Sequence, residues 1–469
     1  MTAPRNSALF GIGEHAPRAA KIAALGLGIA LFASGCGGDS GDSDAGGGGT
    51  ESGGTETTSA AGASLLACPE EEGGEGEEQG EKGDPAAVPA SETTSPEPLK
   101  LGSLLPTTGT LAFLGPPEIA GTQLAVNEIN EAGGVLGQDV SITQRDSGDT
   151  TTDIATQSVT DLLSQDVSAI VGAASSGVSK TVINQITGAG VVQFSPANTS
   201  PEFTDWDDNG LYWRTAPSDV LQGRTLGTYI STCGAQTVGM ITLNDSYGTG
   251  LQSNIQETIE AAGGQVVANE MFNTGDSQFS SQVDAIAAAE PDAVVLISFD
   301  EAKSIVPLLV AKGIDPSTVF MVDGNTSDYS ADLDPGTLEG AQGTIPGPFT
   351  GSGFQDALAT VDPNLNSLAY AGEAYDAVNL IALASEAAGS VEGTDIATEL
   401  ESVSKDGTKC FDFAGCVTLL REGEDIDYDG ISGPVAFDEN GDPTEAAIGI
   451  YRYDADNVPQ PYRSEVGQL

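Results

Sequence analysis

Histidine is all but missing: 469 residues hold one, His15. With no imidazole beyond it, Ser-His-Asp and Cys-His centres, histidine-ligated zinc and histidine-ligated haem are excluded together from the rest of the chain. Positive charge is scarce too, with 16 lysines and arginines against 69 aspartates and glutamates and a formal net charge of -53. Phosphate binding needs a basic surface, so nucleic acid is not expected as a partner. The glycine loop Thr107-Thr108-Gly109-Thr110 lacks both the phosphate-loop lysine and the dinucleotide glycine spacing, and no nucleotide or other cofactor is expected. The run Asp425-Ile426-Asp427-Tyr428-Asp429-Gly430 opens like a calcium loop. It carries Ala436 where a bidentate glutamate belongs, and Pro434 inside the loop. It reads as a solvated acidic turn before a strand over 434–437, and no metal is expected.

What is present begins at the N-terminus. Arg5, Arg18 and Lys21 stand against one acid, Glu14, and 22–34 (IAALGLGIALFAS) is an uncharged, mostly apolar run ending at Gly35-Cys36. Such a run is a signal-peptide core, too short to span a membrane, and no later stretch is apolar enough to do so. Ala33-Ser34-Gly35-Cys36 resembles the lipobox of bacterial lipoproteins, with Ala33 where leucine is usual. The resemblance implies removal of 1–35, lipid on Cys36 and a chain held to the membrane outside the cytoplasm. Between Gly37 and Leu99 stand 15 acids, 15 glycines and one lysine. That composition predicts a flexible, self-repelling linker over 36–98. Of the four later cysteines, Cys410 and Cys416 enclose a short loop and are the first choice of a disulfide pair. Cys68 with Cys233 follows by elimination, two free thiols being the open alternative. From 100 to 469, 12 basic and 53 acidic residues leave a balance of -41. Two readings stay open for it: solubility at high salt or near an anionic envelope, and an acidic composition shared across a lineage.

The remaining roughly 370 residues exceed one ordinary core, so two lobes are expected. Short β-branched runs predict strands at 100–105, 140–144, 169–172 and 191–194. After a break near Pro217 they recur at 237–243, 265–271, 293–297 and 318–322. Amphipathic stretches lie between them, as at 118–132, where Ile119, Thr122, Val126 and Ile129 recur at helical spacing after Pro116-Pro117. Strands separated by helices predict an α/β fold with two Rossmann-like lobes of parallel sheet, and the cleft between lobes is the default ligand site.

The run 101–140 (LGSLLPTTGTLAFLGPPEIAGTQLAVNEINEAGGVLGQDV) resembles the opening of the type I periplasmic solute-binding proteins of ABC importers, in particular the leucine/isoleucine/valine-binding family. The likeness continues through Asp146-Ser147-Gly148-Asp149, Ile170-Val171-Gly172, Ser195-Pro196-Ala197-Asn198-Thr199, Tyr247-Gly248-Thr249-Gly250 and Asp438-Glu439-Asn440-Gly441-Asp442, in order over 99 to about 453. It implies one lobe of 99–216 plus 344–446 and another of 217–343 plus 447–469, joined by a three-stranded hinge. It implies a monomer that binds an amino acid, branched-chain or otherwise apolar, and delivers it to a permease. Ser175 and Ser176, opening a helix after a buried strand, and Thr199 would take the α-carboxylate. The Ala197 carbonyl and the Asp323 carboxylate would take the ammonium, and Tyr247 would close over the ligand. Leu114 and Phe299 stand where relatives carry larger or more polar aromatics. Taken singly, the serines and Thr199 also read as helix caps and Asp323-Gly324 as a turn. A sensory module for a receptor, or a binder of urea, short amides, aromatic acids or peptides, stays open beside transport. An enzyme is not expected, because no nucleophile and base cluster.

Overall fold

The computed structural model describes residues 66–69 and 80–468. The expected signal peptide (1–35), Cys36 and 37–65 lie outside them. The first apolar runs pair as a five-stranded parallel sheet: β1 (Lys100–Leu105), β2 (Ser141–Asp146), β3 (Ala169–Gly172), β4 (Val192–Ser195) and β5 (Tyr212–Arg214), in the order β2-β1-β3-β4-β5. β3 and β4 are buried along their whole length, as strands covered on both faces are. Between strands run α1 (Gly115–Glu131), α2 (Ile154–Leu163) and α3 (Ser176–Thr187). α1 starts three residues before the expected 118, because Pro116 and Pro117 sit in its first turn, where no backbone N–H is needed.

The second series is α4 (Asp219–Thr232), β6 (Thr237–Leu243), α5 (Ser246–Ala261), β7 (Gln265–Phe272), α6 (Ser280–Ala289), β8 (Ala293–Ile297), α7 (Ala302–Ala311), β9 (Val319–Met321) and β10 (Gln342–Pro346). Thr318 falls outside β9, in a 3-10 turn that Asp315 caps. The chain then returns to the first lobe with α8 (Ser352–Val361), α9 (Ala371–Ala388), α10 (Gly393–Ala397), β11 (Thr408–Cys410), α11 (Phe413–Glu422), β12 (Ile426–Gly430) and β13 (Gly433–Pro434). α9 packs on α1, β3 and β4, and Leu124, Val126, Leu380 and Ile381 share its core. Finally β14 (Glu445–Tyr453) and β15 (Pro459–Gln468) complete a seven-stranded sheet, β15-β14-β10-β9-β8-β6-β7, in the second lobe. β14 is antiparallel to both β10 and β15, so this sheet is mixed.

Three expectations change. The acidic run at 425–430 is not a solvated turn: Ile426 and Tyr428 are buried on alternate positions and make β12, while their aspartate neighbours lean outward. The strand expected at 434–437 shrinks to β13, whose only ladder partner is β12. Residues 80–98, counted with the flexible linker, dock on the first lobe. There the Gly83 N–H donates to Asp412 at 3.0 Å and Arg421 Nη1 donates to the Pro89 carbonyl at 2.9 Å. On the second lobe Cys68 is bonded to Cys233, and the Ala67 N–H reaches the Cys233 carbonyl at 3.0 Å. Cys410 and Cys416 form the second disulfide.

Candidate functional site

The loops after β3 and β4 build one wall of the inter-lobe cleft, at the carboxyl ends of parallel strands, where open α/β sheets bind ligands. Ser175 is the N-cap of α3, its Oγ accepting from the Val178 N–H at 3.3 Å, so its cap reading holds. Ser176 opens the helix, and its Oγ accepts from the Ser200 N–H at 3.3 Å. That bond brings the loop carrying Ala197 and Thr199 against the start of α3. Thr199 is fully buried, its hydroxyl beside the Asp219 carboxylate and with no other partner among the described residues.

What holds that loop in place was not read from sequence. Arg214, at the end of β5, is fully buried and grips Asp442 with two bonds, Nε to Oδ1 at 2.6 Å and Nη2 to Oδ2 at 2.7 Å. Its Nη1 donates to the carbonyls of Asn198 at 3.3 Å and Ser200 at 2.8 Å. Arg214, held by Asp442, therefore fixes Thr199 through the carbonyls of its two chain neighbours, Asn198 and Ser200.

The opposite wall comes from the second lobe. Asp323 follows β9 and is buried; its Oδ1 accepts from Tyr247 Oη at 2.7 Å and Gln222 Nε2 at 2.9 Å, and its Oδ2 from Tyr370 Oη at 2.7 Å. Burial raises its pKa, and the three donors offset that in part. The Tyr247 ring stacks on Phe299 with centroids 5.5 Å apart. Leu114, Ala197, Tyr247, Phe299 and Tyr370 belong to one contiguous apolar cluster that includes both walls. Leu114, Ala197, Tyr247 and Phe299 thus share that cluster, Ser175 and Ser176 open α3 beside the Thr199 loop, and Asp323 is bonded to Tyr247.

Two residues there went unread. Tyr370, the N-cap of α9, reaches from the first lobe to Asp323 in the second. Asp219, first residue of α4, is fully buried, its carboxylate beside the Thr199 hydroxyl and with no other hydrogen-bond partner among the described residues. Its N–H donates to the Thr199 carbonyl at 2.7 Å. Burial first, and the neighbouring Asp323 charge second, raise its pKa well above its ordinary value, against a smaller lowering by the Thr199 hydroxyl. The signal for it was the Pro217-Ser218-Asp219 break, a helix-start pattern placed where the chain changes lobes. The lobes also touch directly: the Asp300 N–H donates to the Thr110 carbonyl at 3.2 Å, and Ser200 Oγ to the Ser246 carbonyl at 3.0 Å. Among the described residues no cluster of histidine, cysteine, aspartate and glutamate could hold a metal, and no helix is long and apolar enough to cross a membrane.

Residues 98–457 match the family described as periplasmic binding protein. The chain belongs to that family. This periplasmic binding protein is 25% identical over 372 residues to Leu/Ile/Val-binding protein BraC3 of Rhizobium johnstonii, a match covering 77% of this chain and 93% of the relative. It is 24% identical over 374 residues to the leucine-, isoleucine-, valine-, threonine- and alanine-binding protein of Pseudomonas aeruginosa, covering 78% and 93%. Among solved structures, the branched-chain amino acid transporter substrate binding protein LivJ of Streptococcus pneumoniae, in complex with isoleucine, shares the fold. Its TM-score is 0.66 at 24% identity, covering 80% of this chain and 100% of that one. As in its family, this periplasmic binding protein is an extracytoplasmic solute-binding protein.

Proposed function

We propose that the protein is the extracytoplasmic solute-binding component of an ABC importer, holding an α-amino acid with an aliphatic or otherwise apolar side chain between its lobes. The observation that carries this reading is the polar division of the cleft. Hydroxyls of Ser176 and Thr199 stand on one lobe, and the buried carboxylates of Asp219 and Asp323 on the other. A zwitterion satisfies both, its carboxylate at the start of α3 and its ammonium against the acids and the Ala197 carbonyl. The cluster of Leu114, Tyr247, Phe299 and Tyr370 then takes an apolar side chain. Ligands named for the curated relatives agree with that choice. Because the ligand touches both lobes, it binds their closed arrangement better and shifts the population toward it, and a membrane permease reads that form. Lipid on Cys36 keeps the binder near the permease.

Thermal melts with each amino acid added singly test the reading. Leucine, isoleucine or valine at a hundred times its Kd stabilises by about 2.7 kcal/mol. Asp219→Asn and Asp323→Ala abolish most of that gain. If no α-amino acid raises the melting temperature at millimolar concentration, the reading fails.

A further inference from the structure

A cavity of about 550 Å³ lies between the segment after β10 and the second lobe, and of the cleft residues only Tyr370 lines it. Both lobes build it. Phe349, Leu365 and Glu373 come from the segment between β10 and the first turn of α9, and Asp328 and Tyr451 from the second lobe. Size and mixed lining are those of small-molecule sites. No lysine, arginine or histidine lines it, and its charged residues are Asp328, Asp362 and Glu373.

Glu373 is its deepest charge, 5% exposed. Gly347, at φ 97°, leaves room for it: a Cβ there would lie 2.4 Å from the carboxylate. Behind it Glu118 of α1 is fully buried, with neither oxygen hydrogen-bonded. The other titratable groups around Glu373 are Asp376 and Tyr370 on α9 and Tyr451 on β14. None of these brings positive charge. Burial pushes Glu373 up to about 8, and Glu118 is raised by burial and by the Glu373 charge. Buried acids without a cationic neighbour gain from one that arrives.

We propose that this cavity is a second ligand site, separate from the amino-acid cleft, for a small apolar primary amine whose ammonium pairs with Glu373 and whose hydrocarbon body packs on Phe349, Leu365 and Tyr451. Tyr370 forms part of its wall and also donates to Asp323, so the two sites share a side chain. An occupant touching both lobes favours one of their arrangements. By reciprocity, amine and amino acid then change each other's affinity by the same factor.

Calorimetric titration of the whole protein with benzylamine at pH 7, in two buffers of different ionisation heat, tests the site without reference to the amino-acid reading. Saturable binding is expected, with a proton released as Glu373 ionises against the ammonium, and benzyl alcohol and benzoate bind at least about tenfold more weakly. Glu373→Gln, and independently Ala359→Trp at an exposed helical position of the cavity wall, each weaken benzylamine at least about tenfold. No saturation by about 10 mM, equal affinity for benzyl alcohol, or undiminished binding in Ala359→Trp overturns the proposal. Loss of benzylamine in Asp219→Asn with full retention in Ala359→Trp places the amine in the cleft. That result overturns the second site and leaves the amino-acid reading standing.

Discussion

At the scale of single residues, the cleft depends on charges placed where water cannot reach them. Arg214 and Asp442 stand 228 positions apart in sequence, so no local pattern announces the pair. Both are buried, and removing one leaves the other uncompensated, at a cost of about 3–5 kcal/mol. Arg214→Met is therefore expected to lower the free energy of unfolding in urea by that amount. Arg214→Met combined with Asp442→Leu recovers part of it. Asp245 is a case of a different sign. Its Oδ1 caps α5 through the Gly248 N–H at 2.8 Å, while its Oδ2, facing Gly177 at the start of α3, has no hydrogen-bond partner. Burial, the largest cause, raises its pKa from 3.8 to about 6. The folded state then binds more protons than the unfolded one across that window, so Asp245's contribution makes stability fall as pH climbs from 3.8 to about 6, and level off above. Asp245→Asn keeps a capping oxygen and removes that slope. Melts of both proteins between pH 4 and 7 check it, and parallel curves would refute the assignment.

At the scale of elements, legibility followed burial pattern. β3 and β8 are short apolar runs buried throughout, and β6 is buried after its first residue; all three were readable from composition alone. β15 (PQPYRSEVGQ) was not: it is an edge strand, rich in charge and proline, and only pairing with β14 makes it a strand. β12 was missed because its aspartates suggested a metal loop and drew attention from the buried Ile426 and Tyr428 that alternate with them. In the site, residues at strand ends were legible through their hydroxyls and acid. Tyr370 was not, since it reaches Asp323 from the end of α9 only once the lobes meet. One helix contact also rests on a single residue. A Cβ on Gly121 of α1 would lie 2.2 Å from the Ala371 carbonyl of α9. Backbone, rather than a flexible side chain, would have to move. Gly121→Val is expected to destabilise by about 1–3 kcal/mol through overpacking, and calorimetric melting measures it. An unchanged melting temperature would show that α1 and α9 can slide apart at no cost.

At the scale of the molecule, alternating strands and helices gave away two lobes, but not where the polypeptide leading into them is fastened. The covalent joint is Cys68 with Cys233 on the second lobe, whereas 80–98 lie on the first. A protease that cut once between 69 and 80 would therefore not detach what precedes the cut, because the disulfide still joins the two pieces. On a denaturing gel such a nicked chain is expected to run as one band without reductant and as two with it. Only a cut ahead of Cys68, or reduction together with a cut, would shed the binder from the lipid proposed at Cys36. Two chemically different insults, proteolysis and loss of an oxidising environment, must then coincide before a nick in that segment costs the cell the protein.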